Sequence, residues 1–186
     1  IARGFIERGQ QTLVFANNRL ATEVLLTYLK DDCERGPLPS TSVRGYRGGY
    51  LPRERREIER GLRDGAIRAV VATNALELGI DIGGLDASVM AGWPGSLASA
   101  LQQSGRAGRK LAPSLAVLVA SSNPLDQYLV NHPEYLYGGT PESGIVDPEN
   151  LVVRLSHLKC AAFELPFAED EPFGHGAEPT TELLQL

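Results

Sequence analysis

The first two-thirds of the chain alternate short apolar runs with stretches whose apolar residues recur at helical spacing. Thr12-Leu-Val-Phe-Ala16 is a compact apolar run bounded by polar residues, as expected of a strand buried on both faces. Asn17-Asn18 can cap a helix starting at Arg19. Ala21, Val24, Leu25, Tyr28 and Leu29 then fall at i, i+3, i+4, i+7 and i+8, one face of a helix that Gly36-Pro-Leu-Pro39 breaks. Thr41-Ser-Val-Arg-Gly-Tyr46 is a weaker strand candidate. Pro52 suits the first turn of a charged surface helix over residues 53–64, with Ile58 and Leu62 turned inward and Gly65 able to end it. Ile67-Arg-Ala-Val-Val-Ala72, Ala87-Ser-Val-Met-Ala91 and Leu115-Ala-Val-Leu-Val-Ala120 read as further strands, and residues 97–106 as helix.

Strands separated by helices of this length imply βαβ units, hence an α/β fold whose parallel sheet is covered on both faces. Ligands of such sheets gather at the loops after the strands' carboxyl ends. Polar residues concentrate in those loops: Asn17-Asn18-Arg19, Arg47-Gly-Gly49, Thr73-Asn74 and Trp93-Pro-Gly-Ser96. Trp93 reads as either a core residue or a loop contact, and its neighbours Pro94-Gly95 favour the loop. Past Ser122 the pattern changes. Residues 132–141 are turn-rich, and residues 149–165 form one helix with Leu151, Leu155, Leu158 and Ala162 on a side. A boundary near 142–148 divides a domain of residues 1–143 from a helical extension of residues 144–186, which ends in a second helical pattern over 180–186.

Composition sharpens this picture where charge is concerned. The 186 residues, 42% hydrophobic and 22% charged, suffice for one domain and a small appendage. A net charge of −5 argues against a generic basic nucleic-acid binder. Its distribution weakens that objection: residues 1–159 hold all 18 basic and 17 acidic residues, while residues 160–186 hold six acidic residues and no basic one. The sheet-bearing body is thus nearly neutral and the extension acidic. Cys33 and Cys160 are too few for a disulfide framework, which favours a reducing compartment. No apolar run reaches the roughly 20 residues that cross a bilayer, and no signal-peptide pattern is present. Opening on Ile1 and stopping at Leu186 inside a helical pattern, the chain reads as a piece of something longer.

Two strings carry chemistry. In Gln102-Gln-Ser-Gly-Arg-Ala-Gly-Arg109, two arginines three apart on one turn project the same way, and guanidinium forks suit phosphate oxygens. In Val70-Val-Ala-Thr-Asn-Ala-Leu-Glu-Leu-Gly-Ile-Asp-Ile-Gly83, a buried strand ends in the small donors Thr73 and Asn74, and Asp81 can accept from a ribose hydroxyl. The bland alternatives are a solvated helix end, and a turn capped by Thr73 and Asn74. His157 and Cys160, at i and i+3, are half of a zinc set with no other half in view, so no metal site is expected on this chain.

Together and in this order the strings resemble motifs V and VI of superfamily-two helicases. Thr12-Leu-Val-Phe-Ala-Asn-Asn-Arg19 looks like motif IV, and Tyr46-Arg-Gly-Gly-Tyr-Leu-Pro-Arg-Glu-Arg-Arg-Glu57 like the motif after it. Gly92-Trp-Pro-Gly-Ser96, Asn123-Pro-Leu-Asp-Gln-Tyr128 and His157-Leu-Lys-Cys-Ala-Ala-Phe-Glu-Leu-Pro166 look like the mitomycin-repair type of bacterial helicase and its fungal RecQ-like relatives. The resemblance implies a three-layer, parallel-sheet RecA-like fold, the second motor lobe of a 3′-to-5′ DNA-repair helicase, followed by a winged helix.

Carried onto this chain, the resemblance makes Arg109 the arginine finger toward the γ-phosphate, with Arg106 beside it on the phosphates or the attacking water. Gln102 would couple nucleotide to the other lobe, and Gly79 and Asp81 would line the nucleotide edge. Thr73, Asn74, the backbone around Arg47, Gly48 and Gly49, and Arg19 would hold the phosphates of one DNA strand, positioning the backbone without reading sequence. The implied cofactor is ATP with Mg2+, whose ligands belong to the absent first lobe. The implied partners are that lobe and single-stranded or duplex DNA, with RNA left open, and no membrane. The implied location is the bacterial cytoplasm, associated with the nucleoid. Two other classes stay open. A non-catalytic RecA-like binding module would not need Asp81, Arg106 and Arg109 intact. A small-molecule enzyme on a doubly wound sheet would need a Gly-x-Gly-x-x-Gly turn where Phe15-Ala-Asn-Asn-Arg19 has no glycine.

The sequence has no Gly-x-x-x-x-Gly-Lys-Ser/Thr loop and no Asp-Glu pair at the end of a buried strand, so it holds half of an ATPase site. The 186-residue chain alone is therefore expected to release no measurable phosphate from ATP, with or without DNA. Robust DNA-stimulated release in a phosphate assay would overturn the half-site reading.

Overall fold

The apolar runs pair as five parallel strands: β1 (Thr12–Ala16), β2 (Val43–Tyr46), β3 (Ala69–Ala72), β4 (Ala87–Ala91) and β5 (Leu115–Val119), in the order β2-β3-β1-β4-β5. The structure, a computed structural model, describes residues 1–78, 82, 85–108, 113–144, 146–147, 150–168 and 171–173. The chain divides into two units, residues 1–142 and 143–186. In the first, Thr12 stands opposite Ala69 on one side and Ala87 on the other, so β1 is the middle strand. Its side chains alternate between two buried layers, which explains why the whole run is apolar or small.

Leu13 and Phe15 face one layer, with Ile58, Leu62, Leu97, Ala100 and Leu129. Val14 faces the other, with Ile6, Leu26, Leu29 and Cys33. The first layer is supplied by α3 (Pro52–Arg63), α4 (Leu97–Ser104) and α5 (Pro124–Asn131), the second by α1 (Ala2–Glu7) and α2 (Arg19–Glu34). Each fully buried aliphatic or aromatic side chain stabilises this sandwich by roughly 1.5–3 kcal/mol. A further short helix, α6 (Glu134–Gly138), closes the first unit.

The α/β reading, the five strands and the inward turn of Ile58 and Leu62 all hold in the structure. Other expectations need correction. The buried stripe of α2 is Thr22, Leu26, Leu29 and Cys33, while Val24 and Tyr28 face outward. Thr22 tolerates burial because its hydroxyl donates to the Asn18 carbonyl (2.9 Å), a local bond that hydrophobic periodicity does not register. Trp93 is a core residue, 8% exposed and packed with Met90 and Leu97 in the first layer. Helices α1, α5 and α6 occupy stretches where the pattern gave no helix, and α6 lies inside the turn-rich segment.

In the second unit α7 (Leu151–Glu164) begins at Asn150, whose Oδ1 accepts from Val153 N (3.2 Å). Its buried residues are Arg154 and Leu158, with Leu155 and Ala162 half-buried and Leu151 exposed, so the buried face is turned from the one expected. Phe167 and Phe173 meet edge to face at 5.7 Å, and Arg154 Nη2 donates to the Phe173 carbonyl (3.3 Å). The helix expected over 180–186 lies outside the described residues. No helix among the described residues is long and apolar enough to cross a membrane.

One buried carboxylate organises the loops at the carboxyl ends of β4 and β5. Asp126 Oδ2 accepts from Ser121 N (2.8 Å) and Ser121 Oγ (2.7 Å), and Oδ1 accepts from Trp93 N (3.2 Å). Burial by itself would raise its pKa; the donors from Ser121 and Trp93 outweigh that and hold the group below its ordinary value of 3.8. A depressed folded-state pKa gives stability that is present above the unfolded value and lost as pH falls through the folded one. Asp126→Ala is expected to lower the unfolding free energy by roughly 1–3 kcal/mol at neutral pH, because it leaves buried N–H groups unpaired. Below about pH 4 the difference from wild type should shrink. Urea denaturation at both pH values measures it.

Candidate functional site

Because all five strands are parallel, the loops after β1, β2 and β3 share one edge of the sheet, and β2, β3 and β1 are consecutive neighbours there. After β1, Asn18 caps α2 by accepting from Ala21 N (2.8 Å), and Asn17 Nδ2 donates to the Trp93 carbonyl (2.9 Å). Arg19 is the exposed first residue of the helix. After β2, the turn 47–50 closes through Tyr50 N to the Arg47 carbonyl (3.1 Å). The Arg47 guanidinium lies 5.2 Å over the Tyr50 ring, and its Nε is 3.0 Å from Glu23 Oε1, an ion pair without hydrogen-bond alignment. Tyr50 folds back over Gly45, where a Cβ would sit 2.8 Å from the tyrosine hydroxyl and push the Tyr50 and Leu26 side chains aside. Gly48 faces open space.

After β3, Thr73 occupies the cap position of a 3-10 turn (Asn74–Leu76), yet its side chain makes no capping bond. The bland reading of Thr73 as a cap is therefore not what the structure shows. Thr73 is half-buried and Asn74 exposed. The expected nucleic-acid residues Arg19, Arg47, Gly48, Gly49, Thr73 and Asn74 thus lie on one edge.

Helix dipoles favour the same half of that edge. The first turn of α4 is already met by a carboxylate, since Glu142 accepts from Leu97 N (2.6 Å) and Ala98 N (3.0 Å). Those bonds, Leu97's first, hold the Glu142 pKa below its ordinary value. At α3, Glu54 accepts from Leu51 N (3.0 Å). The start of α2 has only the neutral Asn18, with Arg19 beside it, and so keeps its positive end for an outside anion.

The arginine string lies at the other edge. The spacing predicts Arg106 on the last turn of a helix, but α4 ends at Ser104, and Ala107 runs beside Leu85 as a parallel bridge just before β4. Gly108 N donates to the Leu85 carbonyl (3.1 Å). Gly108 has φ +97°, a backbone conformation that favours glycine, and a Cβ there would also displace the Ser114 hydroxyl, 2.6 Å away. With strands of four or five residues at about 3.3 Å each, this edge is roughly 15 Å from the Thr73 loop.

Arg106 is 7% exposed, and its Nε donates to the Glu77 carbonyl (2.9 Å), as does its Nη2. The Glu77 carboxylate is buried too. Its Oε1 accepts from Ser99 Oγ (2.7 Å) and its Oε2 from Gln103 Nε2 (3.0 Å), while the Gln103 carbonyl accepts from Ser88 Oγ (2.7 Å) on β4. Gln103 is the glutamine built into this joint; Gln102, singled out from the sequence, is half-buried beside it. Glu77, Ser99 and Gln103 escaped the sequence reading. The available signals were a lone acid within Ala75-Leu-Glu-Leu78 and two polar side chains at i, i+4 on an otherwise apolar helix face. Gly79, Asp81 and Arg109 lie outside the described residues. His157 and Cys160 are exposed, and no group of three or more His, Cys, Asp or Glu gathers among the described residues.

This arrangement has close counterparts. The chain is 55% identical over 174 residues to the Bacillus subtilis ATP-dependent helicase YprA, covering 94% of this chain and 23% of that protein. It is 44% identical over 172 residues to the Saccharomyces cerevisiae ATP-dependent helicase HRQ1, covering 88% of this chain and 16% of that protein. The solved structure of the DUF1998 helicase MrfA bound to DNA and AMPPNP superposes with a TM-score of 0.86 at 53% identity, covering 99% of this chain and 26% of that one. The chain therefore spans about a quarter or less of these relatives. Residues 146–185 match the winged helix domain of ATP-dependent helicase HRQ1. Residues 2–110, which hold both edges, match the helicase conserved C-terminal domain, and the chain belongs to that superfamily-two helicase family.

Proposed function

We propose that the chain is the second motor lobe of an ATP-dependent DNA helicase, supplying the arginine side of the ATP site and contacts to one DNA strand. The observation that carries this reading is the two-edged layout. Phosphate-compatible donors occupy the loops after β1, β2 and β3, while the arginine string is anchored at the opposite edge. On the DNA edge, Arg19, the start of α2, Asn74, Thr73 and the turn at Arg47–Gly49 meet phosphates, which suits a motor that must move along any sequence.

Bound ATP supplies the phosphoanhydride whose hydrolysis drives the cycle. Toward it this chain contributes Arg109 as the finger on the γ-phosphate, with Gly79 and Asp81 along the nucleotide edge and Gln102 coupling to the first lobe. Arg106, committed to the Glu77 carbonyl, fits as the residue that fixes the direction of the segment leading to Arg109. Among the described residues the donors fit an anion and no cluster of three or more His, Cys, Asp or Glu is present, so the magnesium ligands and the phosphate-binding loop are assigned to the first lobe. Residues 1–143 form the motor lobe, and residues 144–186 open the winged-helix accessory domain. The parent protein acts 3′-to-5′ in DNA repair in the bacterial cytoplasm, at the nucleoid, with that first lobe as this chain's principal partner.

In the full-length protein, single-stranded DNA should stimulate ATP hydrolysis, and Arg109→Ala should cut kcat roughly 10³–10⁵-fold while leaving DNA affinity largely intact. Steady-state phosphate release and fluorescence anisotropy on one preparation check both. An unchanged kcat removes Arg109 from this role, and no stimulation by DNA in the wild type refutes the motor.

A further inference from the structure

The Glu77 joint does more than fill a polar gap in the core. Glu77 is four residues past Thr73, on the short segment that leaves the DNA edge. Through its carboxylate it holds Ser99 and Gln103, one turn apart on α4, and through its carbonyl it holds Arg106 beyond the end of that helix. The Gln103 carbonyl is in turn tied to Ser88 on β4. One residue thus joins the loop expected to touch DNA to the segment expected to aim the arginine finger.

We infer that Glu77 is a positioning residue that transmits DNA engagement at Thr73 and Asn74 to residues 106–108 and the finger at Arg109. This rests on the motor reading above. The physical basis is rigidity. A buried hydrogen bond from Gln103 and a part-buried one from Ser99 to the carboxylate, with the fork of Arg106 on the carbonyl, tie the segment from Thr73 to Glu77 to α4. A displacement at one end must appear at the other or break those bonds. The two donors sit on different carboxylate oxygens, and an amide in the same place would turn an N–H group toward one of them.

The test uses the full-length protein and a single-stranded oligonucleotide. In wild type, the oligonucleotide should change hydrogen-exchange protection at residues 106–108. In Glu77→Ala that response should vanish, with oligonucleotide affinity within about threefold of wild type and DNA-stimulated kcat down by about tenfold or more at little-changed ATP KM. Glu77→Gln, which keeps one acceptor, should fall between, and Ser99→Ala combined with Gln103→Leu should reproduce Glu77→Ala. Should Glu77→Ala not fold, as judged by its thermal transition, Glu77→Gln carries the same comparison. A folded variant with undiminished stimulated kcat overturns the proposal, as does a parallel loss of affinity and kcat. Absence of stimulated turnover in the wild type refutes the motor reading instead. The exchange response then decides the joint alone: a wild type whose residues 106–108 ignore the oligonucleotide overturns it.

Discussion

A carboxylate withdrawn from water is stable only where every strong acceptor site finds a donor, and the described part of this lobe is arranged to meet that demand at Glu77. Its two oxygens and its carbonyl take donors from Ser99, Gln103 and Arg106, which fixes the rotation of α4 about its axis and the path of the chain beyond it. The rotation of α4 in turn decides which of Gln102 and Gln103 is buried. Much of the geometry at the arginine edge results from satisfying one buried acid.

The same rule operates at the carboxyl ends of β4 and β5, with a different outcome. Asp126 gathers backbone donors from Ser121 and Trp93, and Asn17 adds a bond to the Trp93 carbonyl, so the loops after β1, β4 and β5 form one hydrogen-bonded rim. That rim is closely tied and leaves the α2 terminus beside it with only a neutral cap. The two acids differ in what they bind together: Asp126 stiffens one edge, whereas Glu77 connects the two edges.

The legibility of the sequence tracks this division. Apolar runs gave the strands, because a strand buried on both faces needs nothing but apolar or small side chains, and the motif strings gave the family and the phosphate-facing loops. The misplaced stripe on α2 arose because Thr22 and Cys33 are buried there while Val24 and Tyr28 are not; burial of Thr22 depends on a backbone acceptor that no periodicity reveals. For Trp93 the sequence leaves core and loop both open and its neighbours Pro94 and Gly95 favour the loop, whereas the fold buries it and Asp126 takes its amide. Glu77 was invisible for a related reason. Its partners are 22, 26 and 29 residues away, and only the fold brings them together.

The position of β1 in the middle of the sheet has a consequence for how the lobe is made. Its partners are β3 and β4, so the first strand of this sheet to be made pairs with residues more than fifty positions later on one side and with residues 87–91 on the other. Until residue 91 has emerged, β1 has at least one bare edge, and an apolar strand with a bare edge is a template for pairing with other chains. Non-local parallel pairing of this kind is also slow to form. During synthesis β1 is therefore bare on both edges until β3 is complete, and on one edge until β4 arrives. The connection from β3 to β4 contains Glu77, so the residue that joins the edges in the folded lobe also lies in the chain that carries β4 to the second open side of the central strand.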